Sequence, residues 1–165
     1  MTKIIIKDKK VNKSFILIIF IIFTSKEGSM LSNASKYALK AMNYLVKNTS
    51  PKNRLFSKEI AEATDIPKAF LSKILHQLSQ KNFVSAVKGP KGGFFLTDEQ
   101  KENSIMEIII EVEGKDTIGQ CILNLEHCDA SNPCPIHHFI ERAKNDLHRS
   151  LRGIRLSDLD MESIG

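Results

Sequence analysis

The chain has 165 residues, of which 42% are hydrophobic and 26% charged, a length that suits one domain with a small appendage. No apolar run reaches the roughly 18 residues that a membrane-spanning helix needs, which excludes a polytopic membrane protein. Its three cysteines cannot all pair within the chain, so a disulfide-stapled secreted scaffold is not expected. These features predict a cytoplasmic protein without a membrane partner, with reduced or metal-bound thiols.

Charge is distributed unevenly along the chain. Lys and Arg exceed Asp and Glu by four in residues 1–29 and by eight in residues 30–97, whereas residues 98–165 carry a net charge of −7. A basic half joined to an acidic half predicts that the first half faces a polyanion and that the second half has another role.

Residues 1–29 are predicted to be an N-terminal extension. Lysines precede nine apolar residues, Phe15 to Phe23, which is the order of a secretory signal, although no small-x-small cleavage site follows. Eighteen of the 29 residues are Lys, Ile, Phe or Asn, a composition typical of translated AT-rich DNA. We therefore expect the true start at Met30, with an exported or membrane-anchored protein as the alternative.

Three helices are predicted after the extension, because apolar residues recur at helical spacing. The first covers Ala34–Lys47 with a cap near Ser32 or Asn33, the second starts at the cap candidate Ser57, and the third follows Pro67. The third helix places apolar residues on one face and polar residues on the other: Phe70, Leu71, Ile74, Leu75 and Leu78, against Lys68, Ser72, Lys73 and Gln77. Two short helices around a tight turn predict a helix-turn-helix, although an ordinary helix pair has the same pattern.

A β-hairpin is predicted directly after the third helix. Phe83–Val87 and Phe94–Thr97 are strand-like, and Lys88–Gly93 between them is a glycine-rich turn with two lysines and no acid. Glycines let the backbone approach phosphates or a narrow minor groove. The fold class is therefore predicted to be mainly α with a small β-hairpin wing, a winged helix-turn-helix followed by a long dimerisation helix. A nucleotide-binding loop would need a strand-to-helix context that this segment lacks.

Three cysteines follow a segment that starts at Ile105 and is predicted to be a helix ended by Gly114, although its isoleucines also permit a buried strand. Cys121, Cys128 and Cys134 are spaced Cys-x6-Cys-x5-Cys in a loop-like segment, with three histidines nearby, His127, His137 and His138. Structural zinc usually comes with Cys-x2-Cys knuckles, whereas iron–sulfur clusters tolerate wider spacing on loops. The spacing thus favours iron–sulfur over zinc or free thiols without deciding between them.

Residues 136–154 are predicted to form a last helix with an apolar stripe. The stripe consists of Ile136, Ile140, Ala143, Leu147, Leu151 and Ile154, at intervals of three and four. It suits a partner helix, although packing within the monomer would use the same residues. Dimerisation is favoured because helix-turn-helix proteins usually read two half-sites through twofold symmetry.

The sequence resembles the bacterial winged-helix regulators typified by the iron–sulfur regulator IscR and the nitric-oxide sensor NsrR. The resemblance covers nearly everything after residue 30 and is carried by five groups of residues: Met30–Ser32 with Lys36–Leu39, Ser57–Ala61, Ile66–Pro67 with Phe70–Leu75, the wing Val87–Phe94, and the three cysteines. It implies a homodimeric transcription factor whose affinity for a double-stranded DNA operator responds to an iron–sulfur cluster, with 2Fe-2S favoured over 4Fe-4S.

The resemblance also implies the cluster ligands, with two departures. The x6 interval is one residue longer than the family's x5, and Lys36 stands where NsrR-like members have an aspartate ligand; a protonated lysine cannot coordinate iron. IscR-like members use a histidine three residues after the last cysteine, which His137 matches. The predicted ligands are therefore Cys121, Cys128, Cys134 and His137.

The predicted DNA contacts lie on the third helix and the wing. The helix would present Lys68, Ala69, Ser72 and Lys73 to the major groove, and the wing would place Lys88 and Lys91 on phosphates or in the minor groove.

We divide the chain into the extension (1–29), a winged-helix domain (30–98) and a cluster loop with the dimerisation helix (99–165). The alternatives are a thiol or zinc switch on the same scaffold, or a small iron–sulfur carrier without DNA binding. An enzyme is not expected, since no base–nucleophile pair is visible.

Overall fold

The computed structural model describes residues 31–114, 133 and 135–159. Within these ranges the elements are α1 (Asn33–Asn48), α2 (Ser57–Thr64), α3 (Lys68–Gln80), β1 (Ser85–Val87), β2 (Gly93–Phe95), α4 (Asp98–Lys101), α5 (Ile105–Glu113), α6 (His137–Gly153) and a 3-10 turn at Leu156–Asp158. The predicted mainly helical fold with a small hairpin is confirmed. None of the helices in these ranges is both long and apolar enough to cross a membrane.

The core is built around α1 and α5. The N-terminus of α1 is capped as predicted, because the Ser32 side chain accepts a hydrogen bond from the Ser35 N–H at 3.2 Å. The buried face of α1 packs against α2, α3 and α5. Helix α5 ends at Gly114, as predicted, where φ is +97°. The fully buried side chains of α1 and α5 include Met42, Leu45, Met106, Ile108 and Ile109.

Helix α2 starts differently from the sequence prediction. Ser57 is its first residue rather than its cap, and the preceding residue, Phe56, has no side-chain acceptor. Instead the Glu59 carboxylate accepts a hydrogen bond from the Phe56 N–H at 2.6 Å, which satisfies a donor that the helix leaves open. Asp65 ends α2 in the left-handed region, with φ of 51°, and so forms the tight turn into α3.

The hairpin is shorter than predicted but is supported on its outer edge. Strands β1 and β2 pair antiparallel, with Ala86 opposite Phe94. Leu55, in the α1–α2 connection, pairs with Phe94 from the other side through two backbone hydrogen bonds of 3.1 and 2.8 Å. The wing is therefore attached to the helix-turn-helix by backbone bonds, which fixes its position relative to α3.

A buried threonine joins the end of α1 to the wing. The Thr49 hydroxyl donates to the Leu45 carbonyl at 2.7 Å and accepts from the Leu96 N–H at 3.2 Å. Replacing Thr49 with Val should lower the free energy of unfolding by about 1–3 kcal/mol, because the Leu96 N–H loses its acceptor in a buried site. Urea unfolding followed by circular dichroism measures this loss.

Thr64 provides the matched control for this prediction. It is also buried and donates to the Ile60 carbonyl at 2.6 Å, but among the described residues no N–H donates to its hydroxyl. Thr64→Val should therefore cost less than Thr49→Val. Equal losses in the two variants would contradict the assigned role of Thr49.

The end of α6 is tied to the start of α5. Residues on both sides form an antiparallel bridge, in which the Ile105 N–H donates to the Ile154 carbonyl and the Leu156 N–H to the Asn103 carbonyl, each at 3.0 Å. Leu156 is fully buried. The C-terminal end of α6 is thus held against the winged-helix core. The domain boundary at residue 98 stays a prediction.

Candidate nucleic-acid interface and metal ligands

Helix α3 presents a basic face to solvent. Lys68, Ala69 and Lys73 are exposed and Ser72 is half-buried, whereas the core side holds Leu71, Ile74, Leu75 and Leu78. No Asp or Glu occurs between residues 66 and 97, although five lysines do. The exposed charges of α3 and the wing are therefore all positive, which is the electrostatic requirement for binding a phosphate backbone.

Two residues of α3 differ from the sequence prediction. Phe70, assigned to the apolar face, is 61% exposed, because it precedes the first fully buried residue, Leu71, and lies at the edge of the buried stripe. Gln77, assigned to the polar face, is half-buried, and its side-chain amide donates to the Glu111 carbonyl at 2.6 Å. Helical periodicity predicted which side of α3 is buried, but not which residues lie at the border of that side.

The glycines of the wing are required by its geometry. A Cβ at Gly92 would collide with the Val87 carbonyl oxygen. Gly93 has φ of +130°, and a Cβ there would lie 2.8 Å from the Leu55 carbonyl oxygen, a conformation that only glycine adopts readily. The turn that these glycines permit leaves Lys88 and Lys91 exposed, where the sequence placed them.

Arg54 supports the wing tip, although no local sequence pattern predicts that role. Its guanidinium carbon lies 5.3 Å from the centroid of the Phe95 ring, and it donates to the carbonyls of Pro51 at 3.0 Å and Lys91 at 3.5 Å. A planar guanidinium can stack on a ring through its face while it donates in its own plane, a geometry that the ammonium of lysine lacks. The available signal was that Arg54 is the sole arginine in a lysine-rich stretch, residues 30–97.

One of the four predicted cluster ligands, His137, lies among the described residues. His137 is the first residue of α6; its Nε2 lies 3.9 Å from the Glu141 carboxylate, and its ring contacts His138 edge-on at 5.6 Å. Cys121, Cys128 and Cys134 lie outside the described residues, within which no group of three His, Cys, Asp or Glu side chains could hold a metal ion. The donor set of three thiols and one imidazole fits an iron–sulfur cluster chemically.

The apolar stripe of α6 is covered at one end. Leu151 is buried, and Leu147 and Ile154 pack partly against the core. Toward the start of α6, Ala143 is exposed, and Ile136 and Phe139 are 39% and 78% exposed. The histidine end of α6 therefore carries an apolar surface that the described part of the chain does not cover.

The chain is similar to one protein family and to individual regulators of two bacteria. The Rrf2 model, described as "Iron-dependent Transcriptional regulator", matches residues 31–161. A protein of Aquifex aeolicus, provisionally named an HTH-type transcriptional regulator, is 36% identical over 79% of this chain and 90% of its own length. The regulator NsrR of Oceanobacillus iheyensis is 30% identical over 62% of this chain and 70% of its own length.

A solved structure shows the same fold. The global cysteine regulator CymR of B. subtilis matches with a TM-score of 0.63 at 23% identity, over 78% of this chain and 93% of that one. Together with the order of helices and hairpin, this confirms the winged-helix prediction.

Proposed function

Because this chain is a member of the Rrf2 family of transcriptional regulators, we propose that it binds DNA operators in the cytoplasm as a homodimer under the control of an iron–sulfur cluster. The observation that carries the DNA part is that α3 and the wing carry exposed lysines and no acidic residue. Helix α3 is exposed at its N-terminal turn, the part that enters the major groove in helix-turn-helix proteins. Leu55, just before α2, holds the wing by two backbone hydrogen bonds, so the wing keeps a fixed position relative to the helix-turn-helix.

The sensing part of the proposal rests on the donor set and on where His137 lies. Three cysteines and His137 match the ligands that the family resemblance implies, and the family model describes iron-dependent regulators. When bound, a cluster supplies a redox-active centre. His137 opens α6, whose other end is held against the core at Ile154. A ligand on the first residue of this helix can therefore bias the direction of α6 and with it the spacing of two DNA-binding domains.

Anaerobic purification of the full chain tests the sensing proposal. We expect a visible iron–sulfur absorption with matching iron and sulfide content, and different affinities of cluster-loaded and cluster-free protein for duplexes selected from a randomised library. Stoichiometric zinc without sulfide would favour the zinc-switch alternative, and protein without metal would favour the thiol switch. A cluster without salt-sensitive, site-selective DNA binding would identify the carrier instead.

The homodimer is proposed from the uncovered start of α6. Twofold symmetry can bring the same helix of two copies together, and on the stripe side its start exposes the apolar residues Ile136, Phe139 and Ala143. Ala143 lies at the centre of the stripe, where a small residue lets two helices approach closely. The exposed Phe139 flanks the same surface.

Replacing Ala143 with Asp should raise the dimer dissociation constant at least about a hundredfold, because an unpaired charge would be buried between the helices. Sedimentation velocity at several concentrations measures the change. Asn145→Asp is the matched control, since Asn145 is exposed on the opposite side of α6 and the added charge is the same. A dimer that tolerates Ala143→Asp would refute this interface.

A further inference from the structure

Phe70 is an exposed aromatic residue in the first turn of α3. Its side chain is 61% exposed, and its ring lies 6.5 Å from that of Tyr37 at an interplanar angle of 56°. The Tyr37 ring supports one side of Phe70 and leaves the rest of it toward solvent. Ala69 beside it is also exposed. The start of the helix that enters DNA therefore carries an apolar patch as well as charges.

The exposed charges of α3 and the wing favour nucleic acid as the occupant of this patch. Lys68 and Lys73 are exposed on the same helix, and Lys88 and Lys91 on the wing. An acidic partner surface is needed to balance these charges, and the phosphate backbone supplies it on both sides of the major groove. Within that groove the base edges are polar except for one group, the C5-methyl of thymine, which apolar side chains such as Phe and Ala contact.

We propose that Phe70, supported by Tyr37, reads the thymine methyl group in the major groove and so determines the operator sequence at one position of each half-site. This inference rests on the proposed DNA binding and adds a contact that charge alone cannot provide. Lysines on phosphates fix the register of the protein but do not distinguish bases. Phe70 would supply the distinction by burying a methyl group against its ring.

The test uses the full chain and duplexes selected from a randomised library. In the selected duplex, each thymine is replaced in turn by deoxyuridine, which lacks only the methyl group. We expect one symmetric pair of positions at which wild-type affinity falls about fourfold per half-site, corresponding to about 0.8 kcal/mol per buried methyl. Phe70→Ala should bind the thymine and deoxyuridine duplexes equally.

Phe56 provides a matched control, because it is an exposed phenylalanine of the same domain, 45% exposed at the start of α2. Phe56→Ala should keep the wild-type ratio between thymine and deoxyuridine duplexes. If Phe56→Ala removes the ratio as well, or Phe70→Ala retains it, the inference is wrong while the DNA-binding function stands. If no duplex is enriched and binding is insensitive to salt, the proposed function itself fails.

A second measurement does not depend on a variant. Replacing the sensitive thymine with 5-iododeoxyuridine puts an iodine of similar size in place of the methyl group, and ultraviolet light crosslinks it to a side chain in contact. We expect mass spectrometry of the wild-type adduct to identify Phe70 or the supporting Tyr37. A crosslink confined to another residue would overturn the assignment.

Discussion

Replacing both wing lysines, Lys88 and Lys91, with alanine is expected to weaken operator binding by about a thousandfold at 0.15 M salt. Both side chains are exposed at the hairpin tip. In the proposed dimer they would provide four phosphate contacts, each of which would add about 0.9 to the slope of log affinity against log salt. The slope should therefore fall by about 3.6, and the loss in affinity should shrink as salt rises toward 1 M.

Fluorescence anisotropy with a labelled duplex at several salt concentrations measures both quantities. The control variant, Lys47→Ala with Lys101→Ala, removes the same charge from elements outside α3 and the wing, α1 and α4. It should change the slope much less, because neither lysine is predicted to contact a phosphate. An unchanged slope in the wing variant would refute phosphate contacts by Lys88 and Lys91.

Much of the fold could be predicted because local signals agreed with one another. The cap at Ser32, the glycine that ends α5 and the glycine-rich turn between two strand-like segments each follow from local backbone chemistry. The wing glycines were informative for a physical reason: side chains at Gly92 and Gly93 would collide with neighbouring carbonyls. The four-residue helix α4 was missed because it is too short to show a period.

The features that sequence reasoning missed depend on contacts between distant segments. Arg54 donates to the carbonyl of Lys91, 37 residues away, and nothing in the sequence near Arg54 indicates that partner. The exposure of Phe70 depends on how far α1 and its neighbours extend over α3, which periodicity does not report. The pattern of α3 predicts a solvent-exposed Gln77, but its side chain donates to the Glu111 carbonyl of α5. In each case the surroundings of the residue depend on how distant segments of the chain pack together, which local sequence patterns do not report.

The ligand assignment leads to the second large effect. Replacing Cys121, Cys128 or Cys134 singly with serine should remove most of the iron, the sulfide and the visible absorption of anaerobically prepared protein. Serine differs by one atom, but its hydroxyl stays protonated at neutral pH and is a poor ligand for a centre that binds thiolates. Each variant should bind selected duplexes as the cluster-free wild type does.

His137→Ala should have a graded effect, because three thiolates remain while the helix-borne ligand is lost. We expect an altered absorption spectrum and a shorter cluster lifetime in air, together with DNA binding that no longer distinguishes loaded from cluster-free protein. His138→Ala is the matched control. His138 is the next residue of α6 and is exposed, but its side chain leaves the helix in a different direction from that of His137. Its removal should leave the spectrum and lifetime as in wild type. Equal behaviour of the two histidine variants would rule out His137 as the fourth ligand, and with it the direct connection from the cluster to α6.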